Sequence, residues 1–198
     1  MAALEHANER LLALLPADQP LACRRGCAHC CKQRVSVTPL EVLELAAALR
    51  RDLDDDALEH VRTQVGASAS RVRGRSAAQQ RGMPCPLNQT DGSCLAYDSR
   101  PLLCRGANSF DAGACAQPGA AIPSYRELAE AAALAQEELD AESLRIAGRE
   151  EMLELACALE IVLEQPDAEA RWRAGEPIFR AAAHAWIVDG VLHEWTGG

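Results

Sequence analysis

A chain of 198 residues with 48% hydrophobic and 25% charged residues has room for a sizeable core and is not a wholly disordered polymer. Aromatic residues make up only 4%, so the core must be built mainly from alanine and leucine, which favours closely packed helices. The formal net charge is -9, with no lysine-rich run or aromatic-studded basic stripe and no stretch of membrane-span length, so neither nucleic acid nor a membrane is an expected partner.

In chain order, Leu4, Ala7, Leu11, Leu14 and Leu15 recur at helical spacing until Pro16, predicting an opening amphipathic helix. Glu5, Glu9 and Asp18 surround its short apolar centre, which does not read as a secretory leader; the expected location is the cytoplasm. Residues 20–32 have no period and contain Gly26, so they are expected to form a loop shaped by its ligands. Residues 35–37 read as a short extended piece. Thr38, Pro39 and Glu41 then give the T-P-x-E form of a capping box, opening a helix to about residue 51 with Leu40, Leu43, Ala47 and Ala48 on its buried face. Residues 54–56 are acidic, as the first turn of the next helix should be, and Leu58, Val61 and Val65 continue it. Residues 67–81 read as a frayed end or connector. Residues 83–115 are broken by Pro84, Pro86, Gly92, Pro101, Gly106 and Gly113; a loop this long implies that something besides apolar burial holds it.

From Ile122 the character changes. Ser124 with Glu127 suggests a second capping box, followed by helix to about residue 164, with an interruption near Gly148. After a break around Pro166, residues 177–188 read as a final helix with Phe179, Ala183, Trp186 and Ile187 on its apolar side. All three tryptophans lie after residue 171, and the tail is expected to pack into the core or to meet a protein partner. The expected fold is therefore mostly α: a single domain over residues 1–198 whose helices pack around an irregular, metal-organised cysteine segment, residues 21–116, followed by a helical C-terminal extension, residues 122–198.

The chemistry is concentrated in the cysteines. Cys23, Cys27, Cys30 and Cys31 follow a C-x3-C-x2-C-C spacing, and Cys85, Cys94, Cys104 and Cys115 come later in the same half of the chain. Thiolate is the ligand form of cysteine and selects zinc, copper(I) or iron-sulfur clusters over hard cations. In a reducing compartment such a set reads as metal ligands or catalytic thiols ahead of disulfides. Residues 21–115 carry a balance of +3 within an acidic protein, and Arg24, Arg25, Lys32, Arg34, Arg100 and Arg105 are placed to offset bound thiolates. Neighbouring cysteines tend to point to opposite sides of the backbone, so Cys30 and Cys31 do not readily join Cys27 on one tetrahedral ion. Two sites of four thiols, or one site with the remaining cysteines left over, both stay open. His29 reads as a hydrogen-bond donor to sulfur, His184 and His193 as surface or packing residues, Cys157 as a small buried hydrophobe, and Tyr97 with Arg100 as residues that order the loop. The C-x3-C-x2-C spacing also matches radical S-adenosylmethionine enzymes, but those need a series of alternating strands and helices that this chain does not offer.

The order C-x3-C-x2-C-C, then Thr38-Pro39-Leu40-Glu41, Cys85-Pro86-Leu87, and Gly92-x-Cys94-x-x-Tyr97-x-x-Arg100-Pro101-x-x-Cys104-Arg105 resembles the CxxCxxCC cysteine-cluster family. That family is described as a zinc- or iron-chelating domain and is similar to the cysteine-rich part of flagellin lysine-N-methylases. The likeness covers residues 21–116, with a first gap of three residues where the pattern has two. It implies metal binding by Cys23, Cys27, Cys30, Cys31, Cys85, Cys94 and Cys104, with Cys115 as an eighth ligand. The leading expectation is a metal-binding protein in which zinc is structural or zinc or iron is handled. The alternative is an iron-sulfur enzyme, methylase-like or redox.

Overall fold

The computed structural model describes residues 2–188 and 191–194. The opening helix α1 (Ala2–Ala13) buries Leu4, Ala7 and Leu11 as its spacing predicts, but it ends before Leu14 and Leu15, which are exposed. The extended piece is β1 (Ser36–Val37), and Thr38 then caps α2 (Pro39–Asp52). The capping box is complete: Glu41 N–H donates to Thr38 Oγ1 at 3.2 Å and Thr38 N–H donates to Glu41 Oε2 at 2.8 Å.

Glu41 does more than cap. Only 2% of it is exposed. Its Oε1 accepts the Leu102 N–H at 2.7 Å, and Gln136 Nε2 donates to Oε2 at 3.3 Å. One buried carboxylate thus ties α2 to α4 (Leu102–Gly106) and α6 (Arg126–Ala147). Burial pushes its proton affinity up, and the hydrogen bonds from Thr38, Leu102 and Gln136 oppose that rise. Where α4 crosses α6 the backbones nearly touch: a Cβ on Gly106 would lie 2.5 Å from Ala132 Cβ. Gly106→Ala should therefore cost about 1–3 kcal/mol in denaturant unfolding by forcing the two helices apart.

Asp54 caps α3 (Asp55–Val72) by accepting the Ala57 N–H at 2.8 Å. The helix runs on to Val72 instead of fraying from residue 67, because Ser68, Ala69 and Val72 are buried against α7 (Leu155–Glu164). Cys157 on α7 is 2% exposed, and its Sγ donates weakly to Ala69 O at 3.8 Å, in keeping with a small core residue. Leu45, Val42, Val65, Leu153, Leu159 and Leu163 fill the centre, each contributing about 1.5–3 kcal/mol through burial. No helix among the described residues is long and apolar enough to cross a membrane.

The C-terminal part departs from the expected all-helical extension. α6 stops at Ala147 because Gly148 turns left-handed, with φ +74°, and β2 (Glu150–Glu154) follows before α7. Ser124 does not cap α6. Its N-cap is Tyr125, whose N–H is satisfied at 2.7 Å by Asn108 Oδ1 from the cysteine-rich segment. After α8 (Ala168–Arg173), residues 177–188 do not make the final helix; the segment turns and becomes β3 (Ala183–Val188), which pairs with β4 (Val191–Glu194) through Val188↔Val191. The run A-H-A-W-I-V suits a strand, and Asp189-Gly190 in the sequence is a hairpin signal that the helical reading overlooked. Trp172 and Phe179 are fully buried. The side chains of Trp186, Ile187, His193 and Trp195 lie outside the described residues. The sheet is antiparallel in the order β1-β2-β3-β4, and Ser36↔Glu154 ties the entry to α2 to the exit of β2.

Asp140 on α6 is half-buried near Glu41, Glu137 and Glu150, with Oδ1 lacking a hydrogen-bond partner. Burial first, then these carboxylates, push its pKa to about 7 from an ordinary 3.8. Between those values the folded state holds a proton that the unfolded chain has released, so stability falls as pH rises toward and through 7. Asp140→Asn should flatten that fall, raising the urea midpoint at about pH 8 while changing it little near about pH 4.

Candidate metal centre

Three stretches of chain bring the cysteines together. In the first, Cys27 N–H donates to Arg24 O at 3.0 Å and Cys31 N–H to Ala28 O at 3.1 Å, so two consecutive turns present Cys27, Cys30 and Cys31. In the second, Asp91 Oδ1 accepts from Ser93 N–H at 2.9 Å and from Ser93 Oγ at 2.7 Å. With Gln89 N–H donating to Ser93 O at 2.8 Å, this closes a tight turn that pairs Asn88 with Cys94. Buried Leu87 anchors that turn. The two stretches are stitched by Cys85 N–H to Cys31 O at 2.8 Å and Gly82 N–H to Lys32 O at 2.8 Å. They also meet at glycine: a Cβ on Gly92, whose φ is +81°, would lie 2.7 Å from Gly26 O. Gly92→Ala should cost about 2–4 kcal/mol by combining a left-handed backbone with a backbone clash, measured as a lowered denaturant midpoint.

The third stretch holds Cys104 on α4, fixed by the Leu102 bond to Glu41, and Cys115 on α5 (Ala112–Ala116). Asp111 Oδ1 caps α5 by accepting from Gly113 N–H at 2.8 Å and Ala114 N–H at 3.2 Å. Ser109 O accepts Ala22 N–H at 2.8 Å and sits 4.0 Å from Cys23 Sγ. Residues 83–115 are therefore not simply an irregular loop waiting on a ligand. Two short helices, a 3-10 turn over Tyr97–Ser99, and buried Leu87 and Leu102 fix them from within.

Cys27, Cys30, Cys31, Cys85, Cys94 and Cys104 line one cavity of about 260 Å³, whose apolar wall includes Leu45, Leu87 and Leu155. The expectation that Cys30 and Cys31 would point apart is not met: both line this cavity. The neighbouring thiol holds Cys30 down, to about 6, and pushes Cys31 up, with burial adding to the rise of Cys31. Burial raises Cys94 and Cys104 as well and pushes Cys85 to about 12. All nine cysteines are free thiols. Among the described residues no three Cys, His, Asp or Glu side chains already converge where a single ion would touch them all. The sulfurs surround a space.

Of the basic residues expected to balance thiolates, Arg34 and Arg100 line the cavity, whereas Arg24 and Lys32 are exposed. Arg100 lies over the Tyr97 ring at 3.7 Å with Arg25 at 4.3 Å, and Arg25 is paired to Asp98 at 2.5 Å. Arg105 donates to the carbonyls of Arg100 and Asp98. Arg100 Nε is buried without a hydrogen-bond partner. His29 is exposed, and His184 is half-buried with Nε2 3.0 Å from Ser36 Oγ. As a donor set, six soft thiols with two guanidinium groups beside them suit zinc or iron and offer nothing to a hard cation.

The model of the CxxCxxCC family, whose description is "Putative zinc- or iron-chelating domain", matches residues 22–118. The match covers just under half of the chain. No curated protein and no solved structure matches the chain.

Proposed function

We propose that the protein binds metal through cysteine thiolates, with Cys23, Cys27, Cys30, Cys31, Cys85, Cys94, Cys104 and Cys115 as the candidate ligands. In this reading residues 21–116 are the metal-binding region of one cytoplasmic domain, and the metal is structural zinc, or zinc or iron that the protein handles. The observation that carries the reading is the convergence of six thiols from three stretches of chain on one cavity. The metal, once bound, would supply bonds to thiolate in place of the thiol protons. The chain's own part is to hold the sulfurs, shed those protons, keep the apolar side of the cavity dry through Leu45, Leu87 and Leu155, and set Arg34 and Arg100 against the negative charge. Residues 122–198 would remain available to a protein partner.

An iron-sulfur protein, methylase-like or redox, is the second reading, favoured by a cavity wider than a bare ion requires. Elemental analysis of protein purified without oxygen separates the two. Zinc gives a colourless protein, and clusters give visible absorption from sulfur-to-iron charge transfer. A protein that carries no metal and takes up neither zinc nor iron on reconstitution would refute both readings.

A further inference from the structure

The first cysteine stretch takes part in two separate junctions, one at each of its ends. At its beginning, Ala22 N–H donates to Ser109 O at 2.8 Å, and Cys23 Sγ lies 4.0 Å from the same carbonyl. Ser109 Oγ donates to Asp111 O at 3.0 Å, and Asp111 caps the helix that carries Cys115. The turn closed by Cys27 N–H on Arg24 O leads out of this junction. At the other end, Cys31 O accepts Cys85 N–H at 2.8 Å. Cys85 and Cys94 pack against the hydrophobic core, and Cys104 is tied to it through the Leu102 bond to Glu41.

Charge follows the same grouping. The charges of Cys27, Cys30 and Cys115 reach Cys23, whereas those of Cys85 and Cys94 reach Cys104, and those of Cys85 and Cys104 reach Cys31. Cys30 stands between the groups, within reach of Cys23 on one side and of Cys31, Cys94 and Cys104 on the other. Number decides its side. Zinc bound only by sulfur takes four thiolates, as do the common iron-sulfur clusters. Cys31, Cys85, Cys94 and Cys104 already make four, and Cys30, which is solvent-exposed, completes Cys23, Cys27 and Cys115. Among the described residues no such set is yet drawn to bonding distance, so metal must close each one.

Resting on the reading of these cysteines as metal ligands, we infer that the protein holds two separate four-thiol centres for zinc or iron. The inner one, on the core, is Cys31, Cys85, Cys94 and Cys104; the outer one, between the first cysteine stretch and α5, is Cys23, Cys27, Cys30 and Cys115. The adjacent Cys30 and Cys31 send one sulfur to each.

The test uses full-length protein purified without oxygen, with zinc and iron measured per chain and each thiol's reactivity to iodoacetamide read by mass spectrometry. A Cys23→Ser/Cys115→Ser variant should retain half of the parent's metal. In it Cys27 and Cys30 should be alkylated roughly tenfold faster or more than in the parent, while Cys31, Cys85, Cys94 and Cys104 stay protected. Cys94→Ser/Cys104→Ser should give the mirror result: half the metal, with Cys31 and Cys85 reactive and the outer four protected. Retention of all the metal by either variant, loss of all of it, or release of Cys30 together with Cys85 would overturn the division while leaving metal binding intact. Parent protein that holds no metal and takes up neither zinc nor iron would overturn both. Should a variant fail to fold, graded chelation of the unmodified protein decides. The eight thiols should then become reactive in these two groups of four, and release as one group or in any other grouping would overturn the division.

Discussion

Glu41→Ala is expected to lower stability by about 3–5 kcal/mol, because it strips the acceptor from buried donors on three elements at once. The N–H groups of Thr38 and Leu102 and the amide of Gln136 all point at this carboxylate, which is 2% exposed. Gln136 Nε2 keeps a second acceptor, Ser36 O at 3.1 Å, but the Thr38 and Leu102 N–H groups lose the acceptor they have. Glu41→Gln keeps the shape but turns an NH2 group toward other donors, so it should lose less, about 1–3 kcal/mol. Because Leu102 opens the helix that carries Cys104, both variants should also bind less metal than the parent. Chemical denaturation at neutral pH gives the first quantity and elemental analysis the second. A loss below about 1 kcal/mol for Glu41→Ala would mean that the junction is not holding these helices together.

Stripping the metal should loosen part of the molecule and spare the rest. On chelation, amides in residues 22–34 and 84–95 are expected to lose about two orders of magnitude or more of exchange protection, while α2, α3 and α7 keep theirs. The reason lies in what each region buries. α2, α3 and α7 pack around Leu45, Val65 and Leu159, whereas the two cysteine stretches depend on a few backbone bonds and on Leu87. Hydrogen exchange with and without a chelator reads this directly. A cooperative collapse of all the helices would show instead that the bound metal supports the whole core. Cys157→Ala serves as the control: it removes a core sulfur with no access to the cavity, so metal content should be unchanged while stability falls by about 1–2 kcal/mol.

Local signals in the sequence were good guides where a residue and its partner lie within one turn of each other. The Thr38–Glu41 box, the Asp54 cap and the stripe of α3 fall in this group, whereas α1 stops at Ala13 with Leu14 and Leu15 exposed, and Ala47, expected on the buried face of α2, is exposed. The expectation failed where a partner lies far along the chain. Ser124 looked like a cap, but the N-cap is Tyr125, whose N–H is held by Asn108, seventeen residues before it. The box showed Glu41 as a cap, and nothing nearby revealed that Leu102 and Gln136 would share its carboxylate. β2 and β3 were missed because short apolar runs such as M-L-E-L and A-H-A-W-I-V suit either helix or strand until something pairs with them. At the candidate site, spacing was enough to pick out the eight cysteines. It did not disclose which six would line one cavity, because that depends on how three distant stretches of chain meet.

The pairing of Ser36 with Glu154, together with the bond from Leu155 N–H to Val35 O, bears on how the protein is made. Every candidate ligand leaves the ribosome before residue 154 does, yet the strand that fixes the exit of the first cysteine loop is among the later parts to emerge. The nascent chain therefore carries a full complement of thiols for a time without the scaffold that shapes them. During that interval they are open to oxidation or to stray ions, so a reducing environment and a controlled metal supply matter most before synthesis ends.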